Sequence, residues 1–256
     1  METGKPLLSF NDSDITKINN LTKKSIFFGH QSVGYNILDG ISDIMKDHNN
    51  NPAFNIIETN NTSDLDGSFF AHSRVGENTN PESKVDEFIT ILTRGIGEKI
   101  DMAFVKLCYV DFGFNTDVNR FFNYYKDAMK KLKEKFPDII LIHFTAPLTS
   151  PRTDFVSKVK GFIKQVTGKP AWGFDDNIKR NLYNELLIKE YSGKEPVFDL
   201  AKFESAYKDG RRIKYKKAKK EFYTLVPEYT DDGGHLNETG RKIIGEQLLI
   251  FLSELQ

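Results

Sequence analysis

One cysteine, Cys108, in 256 residues has nothing to pair with inside the chain, which excludes an internal disulfide framework and a cysteine-rich metal site. Long apolar runs are also missing. No stretch approaches the ~20 residues needed to cross a bilayer, and residues 1–14 lack the basic and apolar blocks of a secretory leader. A cytoplasmic protein and an exported one whose leader has been removed both fit that absence. Net charge is zero: 36 Lys and Arg balance 36 Asp and Glu, so no overall field gathers nucleic acid or anionic lipid. The densest basic stretch, residues 211–220, reads as a solvated helix face bounded by Asp209 and Glu221. Neither a Gly-x-x-x-x-Gly-Lys loop nor a Gly-x-Gly-x-x-Gly turn occurs, so no nucleotide cofactor is expected. His-x-His and His-x-x-x-His pairs are absent as well, and no metal is expected.

What the chain does have is core-forming material. Apolar residues make up 39% of it, and Phe alone occurs 21 times. No Pro/Gly/Ser-rich linker divides it, so residues 1–256 read as a single domain. Brief β-rich apolar runs at 25–29, 54–58, 102–108, 139–145 and 196–200 alternate with helical periodicity at 33–47, 81–94, 117–136, 175–191 and 238–255. A further short helix is expected near 153–166. This alternation predicts an α/β fold in which a five-stranded parallel sheet lies between two layers of helices. Ligands in such sheets bind beyond the carboxyl ends of the strands, so the residues just after each strand are the ones to search for chemistry.

After the first strand comes His30-Gln31-Ser32-Val33-Gly34, then a helix. A serine there lies where free amides and the helix dipole stabilise a negative oxygen; serine is also a favoured N-cap without any chemistry. Near the C-terminus stands Asp231-Asp232-Gly233-Gly234-His235-Leu236-Asn237 before the last helix. Asp232 can turn back onto His235 to orient an imidazole base; a turn with Asn237 as helix cap reads the same letters.

Taken together, the two segments resemble the SGNH/GDSL hydrolase family, in which a serine follows the first strand and an Asp-x-x-His motif precedes the last helix. The resemblance spans essentially the whole chain and implies a flavodoxin-like three-layer fold, with Ser32 as nucleophile, His235 as base and Asp232 orienting it. Two departures stand out. His30-Gln31 occupies the places of Gly-Asp before the serine, and Val110 in Cys108-Tyr109-Val110-Asp111 stands where the family carries an oxyanion-binding asparagine. The family's glycine donor has a counterpart in Gly76, and Asn78 is the preferred substitute for the missing asparagine, ahead of Asn36 and Asn115. The expected oxyanion hole is therefore Ser32, Gly76 and Asn78.

Of the remaining histidines, His30, beside the serine, and His72, in the Gly76 loop, are candidates for substrate contact, as is Tyr109. His143 reads as a satisfied core residue and His48 as solvent-exposed. Tyr35, Phe112, Trp172 and Phe174 are further aromatics that could stack on a sugar or sit in the core. The resemblance implies cofactor-free hydrolysis of a small-molecule or glycan ester through an acyl-serine intermediate. Acyl transfer to a glycan uses the same residues, and a carbohydrate-binding domain with decayed chemistry fits the two departures.

Overall fold

A computed structural model describes residues 6–8, 12–48, 53–150, 174–217 and 219–255. Helix α1 (Asp12–Leu21) leads into β1 (Ile26–His30), and α2 (Val33–Asp47) follows at once. Strands β2 (Ile56–Glu58) and β3 (Phe70–Arg74) precede α3 (Pro81–Thr93), and β4 (Met102–Val105) precedes α4 (Val118–Lys135). Strand β5 (Ile140–Phe144), α5 (Phe174–Tyr191), β6 (Val197–Phe198), the short α6 (Leu200–Ser205) and the final α7 (Glu238–Ser253) complete the α/β part. The expected helix at 153–166 and Trp172 lie outside the described residues.

Among the described residues the main sheet has six strands, not the expected five, in the order β2-β3-β1-β4-β5-β6 with every pairing parallel. The unforeseen strand is β3. Its His72, Ser73 and Arg74 break the apolar run that marks a doubly buried strand, because β3 ends at the functional edge of the sheet. The expected second strand, 54–58, shrinks to an edge strand beside it. Without that edge strand, the remaining order matches the 2-1-3-4-5 pattern of doubly wound sheets, whose ligand crevice opens where β1 and β4 diverge.

Alternate side chains of each strand feed two cores. Ile26, Phe28, Phe70, Phe104 and Phe144 pack under α1, α2, α6 and α7, while Phe27, Ala71, Ala103 and Leu141 pack under α3, α4 and α5. The basic stretch is not helical. It forms an antiparallel hairpin, β7 (Lys214–Lys217) and β8 (Lys220–Tyr223), in a sheet of its own. In it Lys214-Tyr215-Lys216 alternate with period two, and the Tyr215 ring packs on Phe222 of the facing strand.

One helix contact sets the geometry of everything at the crevice. A Cβ on Gly40 of α2 would lie 1.9 Å from the Arg241 carbonyl oxygen of α7, and one on Gly245 would lie 2.9 Å from the backbone of Gly40. The two helices therefore touch backbone to backbone. Ion pairs flank the contact, Arg241–Asp43 at 2.7 Å and Lys242–Asp47 at 3.2 Å.

Helix propensity alone favours Gly40→Ala by about 1 kcal/mol, but the added methyl meets a carbonyl oxygen and not a yielding side chain. The clash wins: Gly40→Ala is expected to destabilise the fold by about 1–3 kcal/mol in urea unfolding. A stability equal to or above the parent's would remove this contact as the organising one.

Candidate active site

Ser32 occupies the N-cap position of α2 without capping it. Its backbone is at φ 26°, ψ −87°, a region that L side chains seldom enter, and its side chain makes no cap hydrogen bond. Among the described residues neither its hydroxyl nor its amide has a hydrogen-bond partner. Such conformations cost of order 1–3 kcal/mol and persist only where neighbours enforce them. Here Gly34 N–H donates to Gln31 O at 2.8 Å and Tyr35 N–H to Ser32 O at 2.9 Å, closing the turn on both sides of the serine. The Gln31 side chain donates from Nε2 to Val75 O at 2.9 Å and to Gly76 O, tying the serine turn to the end of β3. A carboxylate at position 31 could not donate these bonds, so the glutamine in the acid's place has a structural reason.

Asp232 and His235 do meet. His235 Nδ1 lies 2.6 Å from Asp232 Oδ2, while Asp232 Oδ1 accepts the amides of Gly234 and His235, each at 2.8 Å. Burial pushes the Asp232 carboxyl up, but the His235 hydrogen bond and the two amides outweigh it and hold it down to about 2. Asn237 also caps α7 by accepting from Gly240 N–H at 3.1 Å, so the cap and the Asp–His pair coexist. The side chains of His235 and Asp232 are 43% and 49% exposed, open to an incoming substrate.

Tyr109 braces this loop. Its ring stands edge-on to His235 with centroids 5.7 Å apart, and a Cβ on Gly234 would lie 2.7 Å from the same ring. Behind it Arg180, buried on α5, donates from Nε to Tyr109 O at 2.8 Å and from Nη1 to Thr149 Oγ1 at 2.8 Å. Nothing in the sequence singles out Arg180, one of many cations on an ordinary helix face. The serine and histidine segments are linked directly by Leu236 N–H, which donates to Asn36 Oδ1 at 3.2 Å. Asn36 is thus a tie between α2 and the histidine loop, its oxygen already engaged.

The other expected residues divide. His30 is 0% exposed, directly below Gly34, with Nε2 3.0 Å from His72 Nδ1, so it is a buried support for the α2 turn and not a substrate contact. His72 is buried beside it. Desolvation, with the nearby Lys106 and His72, pushes the His30 imidazole down to about 2, and desolvation lowers His72 also. Gly76 N–H donates to Glu87 Oε2 at 2.6 Å, which removes that amide from the expected oxyanion set. Gly76 has instead a packing role: at φ 56°, a Cβ there would meet Lys84 N at 2.4 Å.

Asn78 stays a candidate. Its Oδ1 accepts from Lys84 Nζ at 3.1 Å, which leaves its NH₂ as the outward group. Lys84 in turn forms a fully buried pair with Asp111, 2.6 Å to Oδ1 and 2.7 Å to Oδ2. Asp111 also accepts from Thr79 N–H at 3.0 Å and Cys108 N–H at 2.7 Å, fastening the Asn78 loop to the chain after β4. His143 is a core residue between Tyr125 OH at 2.8 Å and Glu195 at 3.2 Å, and Phe112 is buried core. Phe114, 53% exposed after β4, was not foreseen, because one aromatic in a loop carries no periodic signal. Among the described residues no group of three or more His, Cys, Asp or Glu is placed to hold a metal, and no helix is long and apolar enough to cross a membrane.

No protein-family model matches the chain, and no curated protein matches it. Solved structures do. The chain is similar to GDSL-type proteins over most of its length. A protein described as a lipolytic protein of the G-D-S-L family, from Desulfitobacterium hafniense DCB-2, is 12% identical, with a TM-score of 0.43 over 90% of this chain and 99% of that one. A protein described as a platelet activating factor from Streptococcus pneumonia is 15% identical, with a TM-score of 0.49 over 94% and 92%. The periplasmic domain of a lipopolysaccharide acetyltransferase from Salmonella ser. Paratyphi A is 14% identical, with a TM-score of 0.44 over 94% and 88%. At these values the chemistry stands on the chain's own residues.

Two outcomes follow from the buried groups. Lys84→Met strands the Asp111 carboxylate without its cation and should cost about 3–5 kcal/mol in urea unfolding, while the double variant Lys84→Met/Asp111→Leu recovers part of the loss. His30 resists a proton that the unfolded chain accepts near ~6.5, so its contribution is complete above that value and is lost as pH falls through it towards the folded value. The melting temperature should drop between about pH 7 and about pH 5, and less so in His30→Gln. Equal slopes in the two proteins would remove His30 from the titration.

Proposed function

We propose that the chain is a serine ester hydrolase in which Ser32 attacks the ester carbonyl, His235 takes the serine proton and Asp232 orients the imidazole. The observation that carries this reading is the Asp232–His235 pair, closed at 2.6 Å and tied to the first turn of α2, where Ser32 holds a strained backbone and an unengaged hydroxyl. Attack breaks the Ser32 O–H bond and forms the acyl ester, and the proton moves through His235 to the leaving alcohol. Water, deprotonated by His235, then attacks the acyl carbon and releases the acid, returning the proton to Ser32. Solvent access to the histidine supports water as acceptor; a glycan hydroxyl in its place would give acyl transfer with the same residues.

The oxyanion in this reading faces the Ser32 amide and the Asn78 side-chain amide at the positive end of the α2 dipole. The substrate class is a small acyl group on a carbohydrate or other small alcohol. The intact Asp–His pair speaks against decayed chemistry. Asp232, held down to about 2, keeps its negative charge across the neutral range and is therefore able to stabilise the imidazolium that forms when His235 takes the serine proton.

The test needs no knowledge of the substrate. Intact mass after treatment with a fluorophosphonate should show one adduct on the parent and none on Ser32→Ala. With a small chromogenic ester, Asp232→Asn should lower kcat by about 10²–10⁴, and Asn78→Ala by about 10²–10³. Absence of an adduct on the parent, or its persistence in Ser32→Ala, overturns the assignment. Product analysis with added glycan acceptor separates hydrolysis from transfer.

A further inference from the structure

The balanced total charge hides a strong local excess. Between Lys208 and Glu221 eight Lys and Arg accompany two acidic residues, an excess of six positive charges in a chain whose sum is zero. These residues form the β7–β8 hairpin and the turn before it, which stand apart from the main sheet. Lys214, Lys216, Lys217, Lys219 and Lys220 are exposed. Lys214 and Lys216 share one carboxylate, Glu221, Lys220 pairs with Glu185 of α5 at 2.8 Å, and the register sets Lys217 directly opposite Lys220. Like charges at opposed positions destabilise an antiparallel pair. The carboxylates of Glu185 and Glu221 do not balance the eight cations, so the ribbon keeps a net positive charge that attracts an anionic chain.

The hairpin is coupled to the proposed active site. Tyr223 N–H donates to Asn181 Oδ1 at 2.9 Å, and Asn181 Nδ2 donates to Tyr223 O at 3.0 Å, so β8 hangs on α5 through one side chain. The adjacent Arg180 holds Tyr109, whose ring faces His235. After β8, Leu225 N–H donates to Thr149 O at 3.3 Å, and the next residue, Ser150, donates to Gly233 O at 2.8 Å. The base of the hairpin and the Asp232–His235 loop therefore rest on adjacent residues, Thr149 and Ser150.

We infer that the β7–β8 hairpin is a docking surface for an acidic polysaccharide, a carboxylate-bearing glycan whose acyl esters are presented to Ser32. The charge supplies the attraction, and the ribbon suits an extended polymer. Nucleic acid fits less well, because the Tyr215 and Phe222 rings pair with each other, centroids 5.7 Å apart, with Phe222 buried, leaving no stacking platform for bases. A membrane surface fits less well too, because the exposed large apolar residues Leu8, Val110 and Phe114 all lie off the hairpin. That the glycan carries esters rests on the function proposed above; the binding surface does not.

The experiment measures binding directly by affinity gel electrophoresis with polygalacturonate, with neutral dextran, with duplex DNA and with anionic phospholipid vesicles. Polygalacturonate should bind at least about tenfold more tightly than the other three. Raising the ionic strength from about 0.05 M to about 0.5 M should weaken that binding by about tenfold or more through screening. Lys216→Glu/Lys217→Glu/Lys219→Glu should abolish it, whereas the surface control Lys130→Glu/Lys131→Glu should retain it, and circular dichroism should show both variants folded. No binding of polygalacturonate by the parent, equal binding by the hairpin variant, or tighter binding of DNA or vesicles overturns the inference. Because binding needs no active serine, a protein that fails the fluorophosphonate test still reports on the hairpin, and a reactive serine with no polygalacturonate binding refutes the hairpin alone.

Discussion

The site depends on the backbone contact between α2 and α7. Ser32 belongs to a helix that starts at the end of β1, and His235 to a loop that ends where α7 begins, some two hundred residues later. The seating of Gly40 against Arg241, flanked by the Arg241–Asp43 and Lys242–Asp47 pairs, holds those two helices side by side. With a side chain at position 40 the axes separate, and the Asn36–Leu236 hydrogen bond at the helix tops is the first tie to lengthen. The hydrophobic cores make the sheet and its helices stable, but their side chains are free to adjust through rotamers. The glycine contact is not, because a carbonyl oxygen against a Cα has no rotamer through which to yield.

Around that contact the crevice is held by polar groups that are each nearly satisfied. Gln31 spans to Val75 and Gly76, Asp111 gathers Lys84, Thr79 and Cys108, and Arg180 gathers Tyr109 and Thr149. Each of the three fixes one loop at the carboxyl end of the sheet: the serine turn with the end of β3, the Asn78 loop, and the histidine loop with its Tyr109 brace. Buried hydrogen bonds of this kind are modest in net energy but severe when broken, since the abandoned partner loses its water as well. They suit a site that must hold direction more than it must add stability. The two departures, His30-Gln31 before the serine and Val110 in place of an asparagine, fall within this scaffold, where an amide donor at position 31 and a lysine–aspartate pair at 84 and 111 do the holding.

The sequence by itself determined the layer architecture, because apolar runs of strand length alternating with helical periodicity have few other ways to bury themselves. The Asp232–His235 pair was legible there as one of two readings of the loop, Asn237 as helix cap being the other, and the structure holds both. Strand β3 carries no strand signal in the sequence because His72, Ser73 and Arg74 interrupt its apolar run, and in the 211–220 stretch the charge spacing of a helix face masks a hairpin. Tertiary structure alone decided the rest. That His30 is buried support, that Gly76 spends its amide on Glu87, that Arg180 braces Tyr109, and that the end of a basic hairpin and the histidine loop bond neighbouring residues, Thr149 and Ser150, are facts about residues far apart in the chain. Local letters fix what a residue is able to do; which partner it meets depends on the packing of distant helices, and one-dimensional patterns carry no information about that distance.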